Sequence, residues 1–262
     1  MTIIQTMETG RENLICAMVE VCHKVAAKGW VANHDGNVSL RFAGTLLATP
    51  TAVSKADVTA DMIISLDMEG KKLQGKGNPF SEIKLHLAAY QSRPDIQAVV
   101  HAHPPLATAR GLVGGYFAVE LPEAVISIGD SVPVIPYAFP GAPENETLVA
   151  EALKRGDLLM LAGNGVLACG RDVKEAFLRM ELLEHLLRID HYARAMGPML
   201  NLPAADKDKL LEKRVSLGLD PAKAAASIHP SAKGVSQAPS PTNELIKNII
   251  AEELKKILAE KK

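Results

Sequence analysis

Between residues 11 and 28 the apolar positions Leu14, Ile15, Met18, Val19, Cys22, Val25 and Ala26 recur at three- and four-residue steps. That is the spacing of an amphipathic helix, which Gly29 can end. The period then changes to two: residues 37–42 alternate, and 45–49 and 62–68 form two further β-like runs before the turn marked by Asn78 and Pro79. Ser81 is placed as the N-cap of a helix reaching residue 90, and residues 98–100 read as a buried strand. Strand patterns follow at 131–137, 158–162 and 166–169, with a helical pattern at 144–155 between the first two. Asp172 caps a long helix that ends near Met196, Gly197 and Pro198. Several adjacent strands are joined by segments too short for parallel crossovers, so the pattern predicts an α/β domain with a mixed, largely antiparallel sheet.

Beyond residue 200 the character changes. Residues 201–220 contain a short charged helical segment, and 221–242 are dominated by Ala, Ser, Pro, Lys and Gly, a linker composition that cannot build a packed core. In 243–262, Ile246, Ile250, Leu254 and Leu258 recur every fourth residue among Lys and Glu, which predicts a terminal amphipathic helix. The expected organisation is a catalytic-sized domain at 1–200, a helical extension, a linker, and a docking helix.

Composition narrows the function classes. The 262 residues carry 29 Lys+Arg against 30 Asp+Glu, a formal charge of −1, which excludes the broad basic surface of a nucleic-acid binder. Apolar runs stop well short of the ~18 residues of a membrane span, and Glu8, Arg11 and Glu12 fall where a signal peptide needs an apolar centre. Three cysteines, Cys16, Cys22 and Cys169, with the first two in one helical pattern, do not make a disulfide framework. A soluble protein of a reducing cytoplasm is expected.

The densest chemistry lies in His101-Ala102-His103-Pro104, directly after a predicted strand. Two imidazoles at i and i+2 on extended backbone project to one side and can reach one cation. Alone, such a pair reads more simply as two hydrogen-bonded histidines at a strand end. Glu82, with His86 one helical turn beyond it, adds a carboxylate, and a carboxylate plus two imidazoles leaves a divalent metal an open position for substrate. A helix start at Ser81 offers amides and a hydroxyl to an anion, and Asn37 and Thr51 stand in or beside loops where they could donate to the same anion.

Taken together, Gly36-Asn-Val-Ser39, Thr49-Pro-Thr51, Ser81-Glu82 with His86, His101-Ala-His-Pro104, and Gly165 to Gly170 followed by Asp172 and Glu175 resemble the class II aldolase/adducin family, over roughly residues 11–196. The resemblance implies a three-layer α/β/α fold, a homotetramer with active sites between neighbouring subunits, and a zinc-type divalent cation. It implies that Glu82 both approaches the metal and serves as catalytic base, that His101 and His103 are metal ligands, and that Asn37, Thr51 and Ser81 hold a sugar phosphate. The implied reaction is cleavage of a deoxyketose 1-phosphate, L-fuculose or L-rhamnulose 1-phosphate, to dihydroxyacetone phosphate and lactaldehyde. Cleaving the C3–C4 bond leaves an enediolate, whose charge needs stabilisation and whose C3 needs a proton. Epimerases and sugar-acid decarboxylases or dehydratases on the same scaffold, and a non-catalytic adducin-like role, are the alternatives; Glu82, His101 and His103 argue against the last.

Three positions depart from the family pattern. Asn164 stands where a third imidazole ligand is common, so weaker metal binding is expected there. Ala52 replaces a usual glycine, and Phe80 a frequent serine. Gly111 to Gly115 are read as a turn, His185 and His191 as structural, and Glu181 and Glu184 as helix-surface charges. Finally, the linker and helix at 221–262 resemble the encapsulation peptides that dock enzymes onto shell or cargo proteins of bacterial microcompartments; a helix packing on its own tetramer and a self-associating coiled coil are the alternatives. No membrane partner is expected, since Lys and Glu mix on the polar positions.

Overall fold

The computed structural model describes residues 3–137 and 142–221; residues 222–242 of the expected linker and the expected helix at 243–262 lie outside them. Among these residues nine strands form one sheet: β1 (Asn37–Phe42), β2 (Thr45–Ala48), β3 (Ile64–Leu66), β4 (Lys72–Gln74), β5 (Ala98–Ala102), β6 (Tyr116–Ala118), β7 (Ser131–Ile135), β8 (Leu158–Leu161) and β9 (Val166–Gly170). Their spatial order is β4-β3-β2-β1-β5-β9-β8-β7-β6. Every neighbouring pair is antiparallel except β7 with β8. The mixed, largely antiparallel sheet expected from short connections is therefore present.

The described residues form seven α-helices: α1 (Ile3–Ala27), α2 (Ile83–Ser92), α3 (Pro105–Val113), α4 (Pro122–Ile128), α5 (Pro143–Leu153), α6 (Val173–Met196) and α7 (Ala204–Ser216), the last packed on α4. Strand alternation divides the core in two. In β9, Val166 and Ala168 pack with α1, α3, α4 and α6, whereas Leu167 and Cys169 pack with α2 and α5. The same alternation holds in β5, where Ala98, Val100 and Ala102 face the first layer and Val99 the second. His101 shares the parity of Val99, so its side chain falls on the α2 face. None of the described helices is long and apolar enough to cross a membrane.

Several expectations are refined. The first helix begins earlier than residue 11. The third strand is shorter, and β4, α3, β6 and α4 were not read from the pattern. Asp172 does cap α6, accepting from the Glu175 amide at 2.7 Å. Ser81 does not cap α2: the N-cap is Glu82, whose side chain makes no cap hydrogen bond, because the chain enters through a tight turn closed by Ile83 N donating to Phe80 O. Glu184 is not a surface charge. It is buried on α6 and accepts from the amides of Leu106 and Ala107 at 3.1 and 2.9 Å, satisfying the first turn of α3. Glu181 does lie at the surface, paired with Lys28.

The segment after residue 200 is fastened to the domain by charge. Arg214 of α7 is buried, donates to the α4 carbonyls of Ile126 and Ser127, and pairs with Asp157 at 3.0 Å. Asp157 also receives Arg93 at 2.8 Å and Arg179 at 3.2 Å. A buried carboxylate shared by three guanidinium groups ties α2, α6 and α7 together. Glu120 adds a second clasp, accepting from Leu202 N and Lys207 Nζ, each at 2.7 Å.

Candidate active site

The antiparallel pairing of β1 with β5 sets Asn37 opposite His101. Ser39, two residues along, lies on the same face of β1. Helix α2 crosses above them and presents Glu82 and His86, one turn apart, so that two rungs form: Asn37 Nδ2 donates to Glu82 Oε2 at 2.8 Å, and Ser39 Oγ meets His86 Nδ1 at 2.7 Å. Tyr90 OH extends the second rung to Ser39 at 2.9 Å. From the hairpin between β8 and β9, Asn164 Nδ2 donates to the other carboxylate oxygen of Glu82 at 2.6 Å.

His101 Nδ1 lies 2.9 Å from the Val166 carbonyl, which can only accept, so Nδ1 carries the proton and Nε2 presents a lone pair. That Nε2 is 3.3 Å from Glu82 Oε2 and 3.3 Å from His103 Nε2. On the far side of its ring, His103 Nδ1 faces Asp35 Oδ2 at 3.7 Å. Both imidazoles turn Nε2 toward a common point; His101 is fixed there by its hydrogen bond to the Val166 carbonyl, as metal-ligating histidines are elsewhere, while Asp35 faces the far side of His103 from beyond hydrogen-bond distance. The separation of the two Nε2 atoms matches the edge of a tetrahedron with metal–nitrogen bonds of about 2.0–2.1 Å, roughly 3.3–3.4 Å. Two facing imidazole nitrogens repel unless a proton or a cation lies between them, so the donor chemistry fits a divalent ion.

The expected three-ligand set is nonetheless not closed. Among the described residues no three His, Cys, Asp or Glu side chains are arranged to hold a metal ion as they stand. Both oxygens of Glu82 accept from amides, Oε2 from Asn37 and Oε1 from Asn164, while Oε2 also lies beside His101 Nε2.

Charge states follow from the same contacts. Burial opposes ionisation of Glu82, but the His101 imidazole and the amides of Asn164 and Asn37 outweigh it and pull its pKa down to about 2. Burial lowers the pKa of His103, with His101 adding to the effect. His86, fully enclosed and packed on Phe80 with ring centroids 4.9 Å apart, is drawn down to about 3, chiefly by burial. A lowered His103 pKa beside an ionised Glu82 is the protonation pattern that metal ligation needs.

The loops that carry Thr51 and Ser81 are paired with each other. A backbone bridge between Pro50 and Pro79, with Thr51 N donating to Asn78 O at 2.9 Å, lays the two loops side by side, and both residues are exposed. Ala52 adopts φ +59°, the left-handed conformation in which its glycine would be unstrained. Phe80 is buried, its ring filling space against His86. At Gly165, φ is +72°, and a Cβ would fall 2.3 Å from Ala102 O and 2.4 Å from His103 Cδ2. Of the turn expected at Gly111 to Gly115, Gly114 and Gly115 have positive φ, whereas Gly111 lies within α3, where a Cβ would approach the Leu161 carbonyl.

Sequence reasoning missed Asp35, although it stands two residues before Asn37 in a turn-rich segment. It also missed the Val166 carbonyl, which no side-chain pattern reveals. His34 does not contribute its ring to these contacts; its carbonyl accepts from Lys55.

Residues 16–191 match the class II aldolase and adducin N-terminal domain, and the chain belongs to that family and is a class II aldolase, a carbon–carbon lyase. It is 33% identical over 212 residues to the L-fuculose phosphate aldolase of Escherichia coli K12, a match covering 80% of this chain and 97% of that protein. It is 30% identical over 205 residues to the 5-methylthioribulose-1-phosphate/5-deoxyribulose-1-phosphate aldolase of E. coli O45:K1, covering 77% of this chain and 95% of that one. Among solved structures, an L-fuculose 1-phosphate aldolase superposes with a TM-score of 0.71 at 25% identity, over 77% of this chain and 95% of the other.

Proposed function

We propose that the protein cleaves a deoxyketose 1-phosphate, L-fuculose or L-rhamnulose 1-phosphate, to dihydroxyacetone phosphate and lactaldehyde, with a divalent cation, zinc by preference, as cofactor. The observation that carries this reading is the sequence of contacts Glu82 Oε2, His101 Nε2, His103 Nε2, each 3.3 Å from the next. The relatives named above for ketose 1-phosphates support the substrate class.

In this reading His101, His103 and Glu82 hold the cation, and Asn164 sits beside it as a weaker neutral group. The bound cation supplies Lewis-acid stabilisation of the negative charge that develops on the substrate oxygens as the bond breaks. Thr51 and Ser81 take the phosphate through their exposed hydroxyls and the neighbouring backbone, whereas Asn37, expected to hold the phosphate with them, is buried and donates to Glu82 Oε2, and so orients that carboxylate instead. Glu82 carries the proton at C3. The hydrogen bonds from the Asn37 and Asn164 amides make its carboxylate a weak base, so proton transfer requires release of at least one of them when substrate enters.

The proposal extends to assembly. The family resemblance supports a homotetramer with active sites between subunits. The composition at 221–242 and the four-residue apolar spacing at 243–262 support a tail that docks the enzyme, from the cytoplasm, onto shell or cargo protein of a microcompartment that confines the aldehyde. Deleting 243–262 is expected to leave turnover intact and abolish co-localisation with shell protein.

The decisive test is release of lactaldehyde and dihydroxyacetone phosphate from both ketose 1-phosphates by the full chain, with metal content measured in parallel. Turnover is expected with zinc, manganese or cobalt, and a fall of about 10²–10⁴-fold in Glu82→Gln. No metal uptake and no turnover under all three supplements would remove the reading.

A further inference from the structure

Lys55 is neither a proposed ligand nor a proposed phosphate contact, and it is a costly residue to keep where it is. Its side chain is 2% exposed and has no carboxylate within ion-pair distance among the described residues. Instead Nζ donates to two backbone carbonyls, Val53 O at 2.7 Å and His34 O at 3.3 Å. Burial lowers its pKa, with Cys22 and Asp35 acting in the opposite direction. A buried ammonium held only by carbonyls is poor value for stability, since an apolar side chain of the same length would fill the space without desolvating a charge.

What the two carbonyls belong to explains the arrangement. Val53 follows Thr51 and Ala52, the loop proposed to receive the phosphate. His34 begins a four-residue segment that touches all three proposed ligands. Asp35 faces His103 at 3.7 Å. Gly36, at φ +73°, lies so close to the backbone of His101 that a Cβ would come within 2.9 Å of its carbonyl oxygen. Asn37 donates to Glu82. Between Trp30 and Asn37 the chain runs over the surface through Ala32, Asn33 and Asp35, all exposed, with a local turn closed by Asp35 N donating to Ala32 O. Among the described residues, the hydrogen bond from Lys55 is the one that anchors the backbone of residues 31–35 to a distant part of the chain.

We propose that Lys55 is a positioning residue that locks the phosphate loop to the 34–37 segment and, through Asp35, sets the orientation of His103 as a metal ligand. This rests on the proposed metal site. It predicts that the lysine acts on cation binding without approaching the cation, and that Asp35 is the intermediate link.

The test uses the full-length protein, Lys55→Met and Asp35→Ala, with two readouts. Hydrogen exchange on metal-free protein is expected to rise about tenfold at residues 31–36 in Lys55→Met, relative to α6 and the central strands. Cobalt(II), titrated alone and followed by its visible absorption, is expected to bind about 10–100-fold more weakly to both variants, with an altered spectrum. A Lys55→Met protein whose 31–36 exchange is unchanged, or whose cobalt affinity and spectrum match the parent, overturns the proposal, whatever its melting temperature. If Lys55→Met does not fold, Asp35→Ala at its half-exposed carboxylate decides: parental cobalt affinity overturns the proposal, weakened affinity supports it. If the parent protein itself binds neither cobalt nor zinc, the metal reading fails, and the exchange measurement still shows whether Lys55 holds the segment.

Discussion

Asn164 and Glu82, 82 residues apart in the chain, are joined by a hydrogen bond of 2.6 Å from the amide nitrogen to Oε1. An amide at this position stabilises the carboxylate where an imidazole would ligate metal alongside it. Replacing Asn164 by His is expected to tighten zinc binding by at least about tenfold, because a neutral imidazole is a stronger zinc donor than an amide oxygen. Competition against a chromophoric chelator measures it directly. Equal affinities would mean that the hairpin does not bring position 164 within reach of the cation.

Ala52 carries backbone strain that glycine would relieve. A left-handed conformation costs a non-glycine residue about 1–2 kcal/mol, while glycine loses about 0.4–1 kcal/mol through the freer unfolded chain. Ala52→Gly is therefore expected to stabilise the protein by roughly 0.5–1 kcal/mol, or about 1–4 °C in Tm. A thermal scan that showed a lower Tm would contradict the strain.

His86 makes acid stability testable. Its pKa is depressed in the fold from 6.5 to about 3, so below pH 6.5 the unfolded chain takes up a proton that the folded chain refuses. Stability is then complete above pH 6.5 and declines as pH falls toward 3, by up to about 1.4 kcal/mol per pH unit from this one group. Urea unfolding of His86→Asn between pH 6.5 and 4.5 should show a slope shallower by up to one proton. Identical slopes would place the acid sensitivity elsewhere.

The Asp157 cluster predicts an order of effects. Arg214→Met leaves Asp157 with two other guanidinium partners and is expected to cost about 2–3 kcal/mol, the loss of charged hydrogen bonds. Asp157→Ala leaves Arg93, Arg179 and Arg214 without their shared counter-charge and should cost about 3–5 kcal/mol. Denaturant midpoints for the two variants check the ranking, and the reverse order would mean that α7 is held chiefly by the α4 carbonyls.

These cases also mark what could be read from the chain alone. Strands such as β8 and β9 carry apolar residues on both faces, and α6 announces itself with Asp172, so their existence needed no tertiary information. By contrast, β4 is exposed throughout, α4 is too short to establish a period, and α3 owes its first turn to Glu184, a residue far along the chain. The site divides in the same way. Two histidines at i and i+2 and a helix-borne glutamate declare their chemistry by type and spacing. The amide grip on Glu82, the carbonyl behind His101, Asp35 behind His103 and the reach of Lys55 exist only once distant segments have packed.

The missing Cβ at Gly165 sets a rule for altering this enzyme. The ring of His103 rests where any larger residue at 165 would put its first carbon, while the neighbouring Asn164 projects a side chain that can be exchanged. One codon of the hairpin is thus closed to variation and the next is open. Activity can be retuned at 164 by single substitutions without rebuilding the scaffold, whereas libraries that randomise 165 will consist almost wholly of chains that have displaced an imidazole.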